Sequence, residues 1–222
     1  MSLRNTLFVI LLVLPWVAQA QVEVTPTFRF QDGIYLTFEA FQRNQPSFTW
    51  DDYEKRSVTN PQTLVTQVDF IKNKNTQEYV DLNKIWGICL EGLPFVRIPK
   101  DSINKELATF AGLRVSGNIS YYSYENRVEK EYDFAAYNPF NGQPFRKATV
   151  SRMVNVFKEK VFSFETGEIS NFERQNLGKL MQNDPQLRKV LNDLDTKGEN
   201  YKEQLFQLLM SYNRRHPVFF KE

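Results

Sequence analysis

The chain has 222 residues, with 28 Lys and Arg against 26 Asp and Glu, one His and one Cys, and a formal net charge of +2. So even a balance does not advertise nucleic acid and leaves membrane-surface binding through charge unsupported, and no Lys/Arg stripe interleaved with aromatics stands out that could track a phosphate backbone. A single Cys excludes an intramolecular disulfide, so stability must come from packing, to which 19 Phe and 10 Tyr contribute large buried areas.

Residues 1–20 read as an export leader. Arg4 gives a positive start, residues 7–14 are apolar, and Ala18-Gln19-Ala20 is a small-residue cleavage site, so the mature chain is expected to begin at Gln21. The apolar stretch falls short of the roughly 20 residues of a membrane span, and no later segment is long and apolar enough to cross. The address implied is periplasmic or extracellular.

Residues 21–27 read as a short edge strand. Asp32-Gly33, between Phe28-Arg29-Phe30 and Gly33-Ile34-Tyr35-Leu36-Thr37, predicts a tight turn. Thr37 caps a short helix over residues 38–43, which Asn44 and Pro46 end. The run Gly33-Ile34-Tyr35-Leu36-Thr37-Phe38-Glu39-Ala40-Phe41-Gln42-Arg43-Asn44-Gln45-Pro46 resembles the opening of a group of secreted, uncharacterised proteins of Gram-negative bacteria. That resemblance implies a protein of the bacterial envelope and carries no activity with it.

Residues 47–60 are mostly polar, with Trp50 and Tyr53 among them, and Asn60-Pro61 marks a break. Strands are expected over 65–71 and 78–82, with a polar turn between them. Ile85-Trp86-Gly87-Ile88-Cys89-Leu90 is uncharged and reads as a strand buried on both faces, with Phe95-Val96-Arg97-Ile98 as its hairpin partner. This hairpin is expected at the centre of the sheet. A short helix is expected over 104–110, then a half-buried strand through Leu113, Val115, Ile119 and Tyr121, interrupted at Gly117-Asn118.

An aromatic-rich region follows, with turns at Asn138-Pro139 and Asn141-Gly142. Residues 148–164 fit either a helical stripe or strands, and their β-branched content favours strands. Beyond Gly167 the period becomes helical: Ser170 and Glu173 suggest a capping box, Asp184-Pro185 a second helix start, and Tyr201, Leu205, Leu208, Leu209 and Tyr212 a last apolar stripe. Helices this short cannot bury a core alone and should dock on the sheet. The predicted architecture is α+β: a mainly antiparallel β domain over 21–167, sandwich or partly open barrel, with a small helical unit over 168–222 docked on it.

Four groups of residues invite a chemical reading. Asp193-x-Asp195-x-Lys197-Gly198-Glu199 has the outline of a calcium loop, but Lys197 and Gln204 stand where oxygen ligands are needed, so a helix connection is expected and no metal site. Cys89 with His216 would make a nucleophile and base, yet Cys89 lies in an apolar run where burial disfavours the thiolate. Asp51 and Asp52 adjoin Trp50 and Tyr53, but adjacent strand residues point to opposite faces and make a poor glycosidase pair. Tyr122 and Tyr124 share a face opposite Tyr121, so they either present two aromatic rings outward or, as such tyrosines more often do, pack within the sheet as cross-strand aromatic pairs. No catalytic residue and no cofactor motif emerges. The candidate ligand-binding residues are Trp50, Tyr53, Tyr122 and Tyr124, for an envelope glycan or peptide. The expected function is a non-catalytic structural or binding role in the envelope, the alternative a hydrolase of an envelope polymer using carboxylates distant in sequence.

Overall fold

Alternating apolar and polar residues put most of the chain into antiparallel strands. They are β1 (Gln21–Glu23), β2 (Gly33–Tyr35), β3 (Tyr53–Asn60), β4 (Val65–Asn73), β5 (Gly87–Leu90), β6 (Leu93–Arg97), β7 (Ala108–Val115), β8 (Ile119–Tyr137), β9 (Pro144–Ser163), β10 (Ile169–Asn171) and β11 (Phe219–Lys221). The structure is a computed structural model describing residues 21–99 and 107–221, so the expected leader lies outside the described residues. The fold is α+β, with a sheet curled into a half-barrel and helices near the C-terminal end. Its strand order is β10-β9-β8-β7-β6-β5-β2, with β4 joining at β7 and β3 beyond it, while β1 and β11 form a separate pair.

The β5–β6 hairpin forms as its sequence predicts, with Gly87 paired to Val96 and Leu90 to Leu93. Glu91 and Gly92 make its two-residue turn with φ of 54° and 75°, the left-handed pair that matches strand twist. Burial on both faces holds too. Ile88 joins a core with Ile34, Val68, Ile71 and Phe110, and Cys89 joins another with Tyr35, Phe41, Leu113 and Phe162.

The hairpin is not the centre of the sheet, however. That place belongs to β7, which pairs with β4, β6 and β8. Its Ala108, Ala111 and Gly112 leave room for neighbours to converge, and the Gly112 N–H donates to the Leu64 carbonyl at 2.7 Å. Only the three residues of β2 cover the outer edge of β5, because Thr37 ends that segment by capping helix α1 (Phe38–Gln42), its Oγ1 accepting from Ala40 N at 3.2 Å.

Several local expectations give way to long-range pairing. Asp32-Gly33 makes no hairpin: the Asp32 carboxylate accepts from Gly92 N at 2.8 Å, sixty residues on, and Gly33 pairs with Cys89. Gly33 has φ of 153°, and a Cβ there would sit 2.4 Å from the Phe48 carbonyl oxygen, so no side chain fits. Residues 78–82 are not a strand. The polar segment before Asn60 supplies β3 as the partner of β4, leaving a lone bridge between Lys72 and Tyr79. Of the helix expected over 104–110, the first residues lie outside the described ones and Ala108 to Phe110 open β7. For residues 148–164 the strand reading is correct.

The helices are α2 (Arg174–Leu180), α3 (Pro185–Asp193) and α4 (Tyr201–Arg215). Asp184 caps α3, its Oδ1 accepting from Leu187 N at 3.0 Å, with Pro185 in the first turn. The capping box at Ser170 does not form, because Ser170 belongs to β10 and pairs with Val161. Leu177, Leu191, Leu205 and Leu209 pack against Ile119, Tyr121 and Val161, which docks the helices on one face of β8 and β9. The C-terminal segment also returns strands to the β region, β10 to β9 and β11 to β1.

Candidate binding surface

The residues singled out in the sequence fall into separate places. The Trp50 indole N–H donates to the Cys89 carbonyl at 2.8 Å, and the Lys55 ammonium lies 4.2 Å above its ring. Tyr53 packs on Phe48 with ring centroids 5.0 Å apart. Both flank the core that holds Ile88. Tyr122 and Tyr124 belong to the opposite core and stack on each other at 6.2 Å. They do not form an outward platform. Both are buried, as is Tyr121, which packs on Phe172 and Phe206 from the helices. At this point of the sheet the odd-numbered face is closed by the helices, while on the other face Tyr122 packs beside Phe162 with ring centroids 6.5 Å apart.

The chemical candidates resolve into structural roles. The Cys89 thiol is fully buried and donates to the Phe30 carbonyl at 3.6 Å; burial, with Asp32 nearby, pushes its pKa far up. His216 packs on Tyr212 with ring centroids 4.4 Å apart, its Nε2 3.4 Å from Asp184 Oδ2. Asp51 and Asp52 are both exposed ahead of β3. Asp195 Oδ1 accepts from Lys197 N at 2.9 Å, which makes the calcium-like stretch a helix connection. Among the described residues no three His, Cys, Asp or Glu cluster as metal ligands.

The feature the sequence reading passed over is the outer part of β8 and β9. Beyond Tyr124 on one strand and before Lys158 on the other, the pair leaves the body and continues as a two-stranded ribbon to a turn at residues 138–143. Pairing is in register from Ile119–Ser163 to Ala136–Arg146, so directly opposed residues share a face and even numbers lie on one side throughout. On the even face stand Val128, Tyr132, Phe134, Val150, Val154 and Val156, together with the cations Lys130, Arg146, Arg152, Lys158 and Lys160. Between Ser120 and Phe162 this face carries no acid at all. Glu125, Glu129, Glu131, Asp133 and Glu159 all lie on the odd face, which has only Arg127 and Lys147 to oppose them.

This segregation corrects the inference drawn from net charge. The overall balance is real, but strand alternation sorts the two signs onto opposite sides of one ribbon. A signal was present in the sequence: residues 134–158 contain four Lys and Arg and no Asp or Glu. Averaging over the chain hides it, since the acids sit on the odd positions of the preceding strand.

At the root the two faces are treated differently. The odd face is covered by α4, where Lys202 pairs with Glu159 and Tyr121 Oη donates to Glu159 Oε1 at 3.1 Å. The even face instead opens onto a groove of about 460 Å³ lined by Trp86, Arg97, Ile98, Tyr122, Tyr124 and Lys160. Two of the sequence-proposed residues, Tyr122 and Tyr124, therefore wall this groove, while Trp50 and Tyr53 take no part in it. Further out, Arg152 lies 5.3 Å over the Phe134 ring, and Lys130 and Arg146 make no ion pair with described residues. Phe140 at the tip is 96% exposed. A two-stranded ribbon is only marginally stable alone in water, so a long one with aromatic residues in solvent is a surface that gains from being covered.

No helix among the described residues is long and apolar enough to cross a membrane. Comparison with known proteins finds no family model that matches, and no match among curated proteins or solved structures.

Proposed function

We propose that this is an exported protein of a bacterial envelope that acts by binding, and that the even face of the β8–β9 ribbon with the groove at its root is its working surface. The observation that carries this reading is the coincidence on one face of exposed aromatic and aliphatic side chains, five cations and no acid. A surface serving only solubility would mix the signs and keep its large apolar residues scattered. Export is supported by the leader-like first twenty residues and by the resemblance of residues 33–46 to secreted proteins.

The test has two arms. Intact-mass measurement on protein recovered from the envelope fraction should give a chain beginning at Gln21. A variant in which residues 127–155 are replaced by an Asn-Gly turn, joining the paired residues Asn126 and Val156, should unfold cooperatively near the parent midpoint, because the cores lie inside Tyr124 and Lys158. Collapse of that variant would make the ribbon structural and would overturn the reading.

A further inference from the structure

Resting on that reading, we infer that the occupant of the ribbon's even face is an anionic lipid surface, along which the ribbon lies flat. The partner must answer two demands at once. Lys130, Arg146 and Arg152 along the ribbon, with Lys158 at its root, call for negative charge, while Tyr132, Phe134 and Val150 between them call for an apolar phase; Lys160, further in, already donates to Asn171 Oδ1 at 2.7 Å. A polyanionic sugar or phosphate chain meets the first demand and leaves the second unmet. The headgroup boundary of a bilayer meets both, since cationic stems reach the headgroups while aromatic and aliphatic groups enter the acyl region.

A second copy of the chain fits less well. Two even faces related by a two-fold axis would set like cations against each other, whereas an even face on an odd face is a head-to-tail contact that need not close. Spanning the bilayer is also disfavoured. Lys130 and Arg152 are directly opposed halfway along the ribbon, which in a spanning strand pair is the depth where cations are least tolerated on the lipid side. Lying flat sends the even-face cations to the headgroups, turns Glu125, Glu129, Glu131 and Asp133 toward water together with Arg127, Lys147, Met153 and Phe157 of the odd face, and brings Phe140 and Tyr137 at the tip within reach of the interface.

Full-length mature protein is sedimented with vesicles of phosphatidylglycerol and phosphatidylethanolamine, and with vesicles of phosphatidylcholine alone. Binding should require phosphatidylglycerol, weaken with added salt, and drop about five-fold for each of Lys130→Gln, Arg146→Gln and Arg152→Gln. In Phe140→Trp the new indole emission should shift to the blue on the anionic vesicles. Equal binding to both vesicle types, or none to either, would overturn the proposal, as would ribbon-dependent self-association or capture by a soluble polyanion without vesicle binding. Those failures are separable from failure of the binding role itself, which shows as misfolding of the ribbon-less variant.

Discussion

Asn213 on α4 closes both backbone hydrogen bonds of Ile119, the first residue of β8. Its Oδ1 accepts from Ile119 N and its Nδ2 donates to Ile119 O, each at 2.8 Å, so one side-chain amide stands in for a neighbouring strand. The approach requires a bare residue at 117, since a Cβ on Gly117 would meet the Asn213 amide at 2.7 Å. Through this clasp the last helix sets where β8 begins.

Asn213→Ala should therefore cost about 1 to 3 kcal/mol, because it strips partners from two backbone groups of a buried residue rather than one. Denaturant unfolding measures it. A loss below about 0.5 kcal/mol, the level of an ordinary surface change, would mean water replaces the amide at no cost.

The helical segment should prove integral to the fold. Leu209 is fully buried against the sheet, whereas Val190, in the stripe of α3, is 49% exposed. Leu209→Ala is expected to lower stability by about 2 to 5 kcal/mol, and Val190→Ala to stay within about 0.5 kcal/mol. Truncation before Ser170 should leave an aggregating or molten remnant. Near-ultraviolet circular dichroism of the truncated protein checks this, and a native spectrum would show that the β region holds itself together.

Asp184 should give the protein part of its acid sensitivity. The Leu187 N–H, followed by His216 and Arg215, holds its carboxyl below the ordinary value. A depressed folded-state pKa adds stability that is present above the unfolded value of about 3.9 and is lost as pH falls through the folded one. Asp184→Asn keeps an N-cap oxygen but removes that charge, so its loss of stability below about pH 4 should be shallower than in the parent. Melting temperatures across pH 2.5 to 7 would reveal it; parallel curves for the two proteins would count against the assignment.

What the sequence makes legible is local chemistry. The β5–β6 turn, the Thr37 and Asp184 caps, the strand character of residues 148–164 and the docked last helix all follow from residues close together in the chain. Partner choice does not. Asp32 looked like half of a turn and instead holds Gly92, and the polar run at residues 53–60 became a strand because β4 had an edge to fill and Val65 to Val68 already paired with β7. The candidate surface was half visible. Tyr122 and Tyr124 stand out as aromatic in the sequence, but their burial depends on Trp86 and Phe162, and the cationic face exists only once β8 and β9 are paired in one register.

The ribbon is also a lever. From Glu125 to Tyr137, at about 3.3 Å per residue, its free length is about 40 Å. Helices and core grip it only below that point, so a turn of ten degrees at the root carries Phe140 sideways by about 7 Å at that rise. Small changes in how Asn213 seats Ile119 are thus magnified at the far end, where the body itself need not move at all.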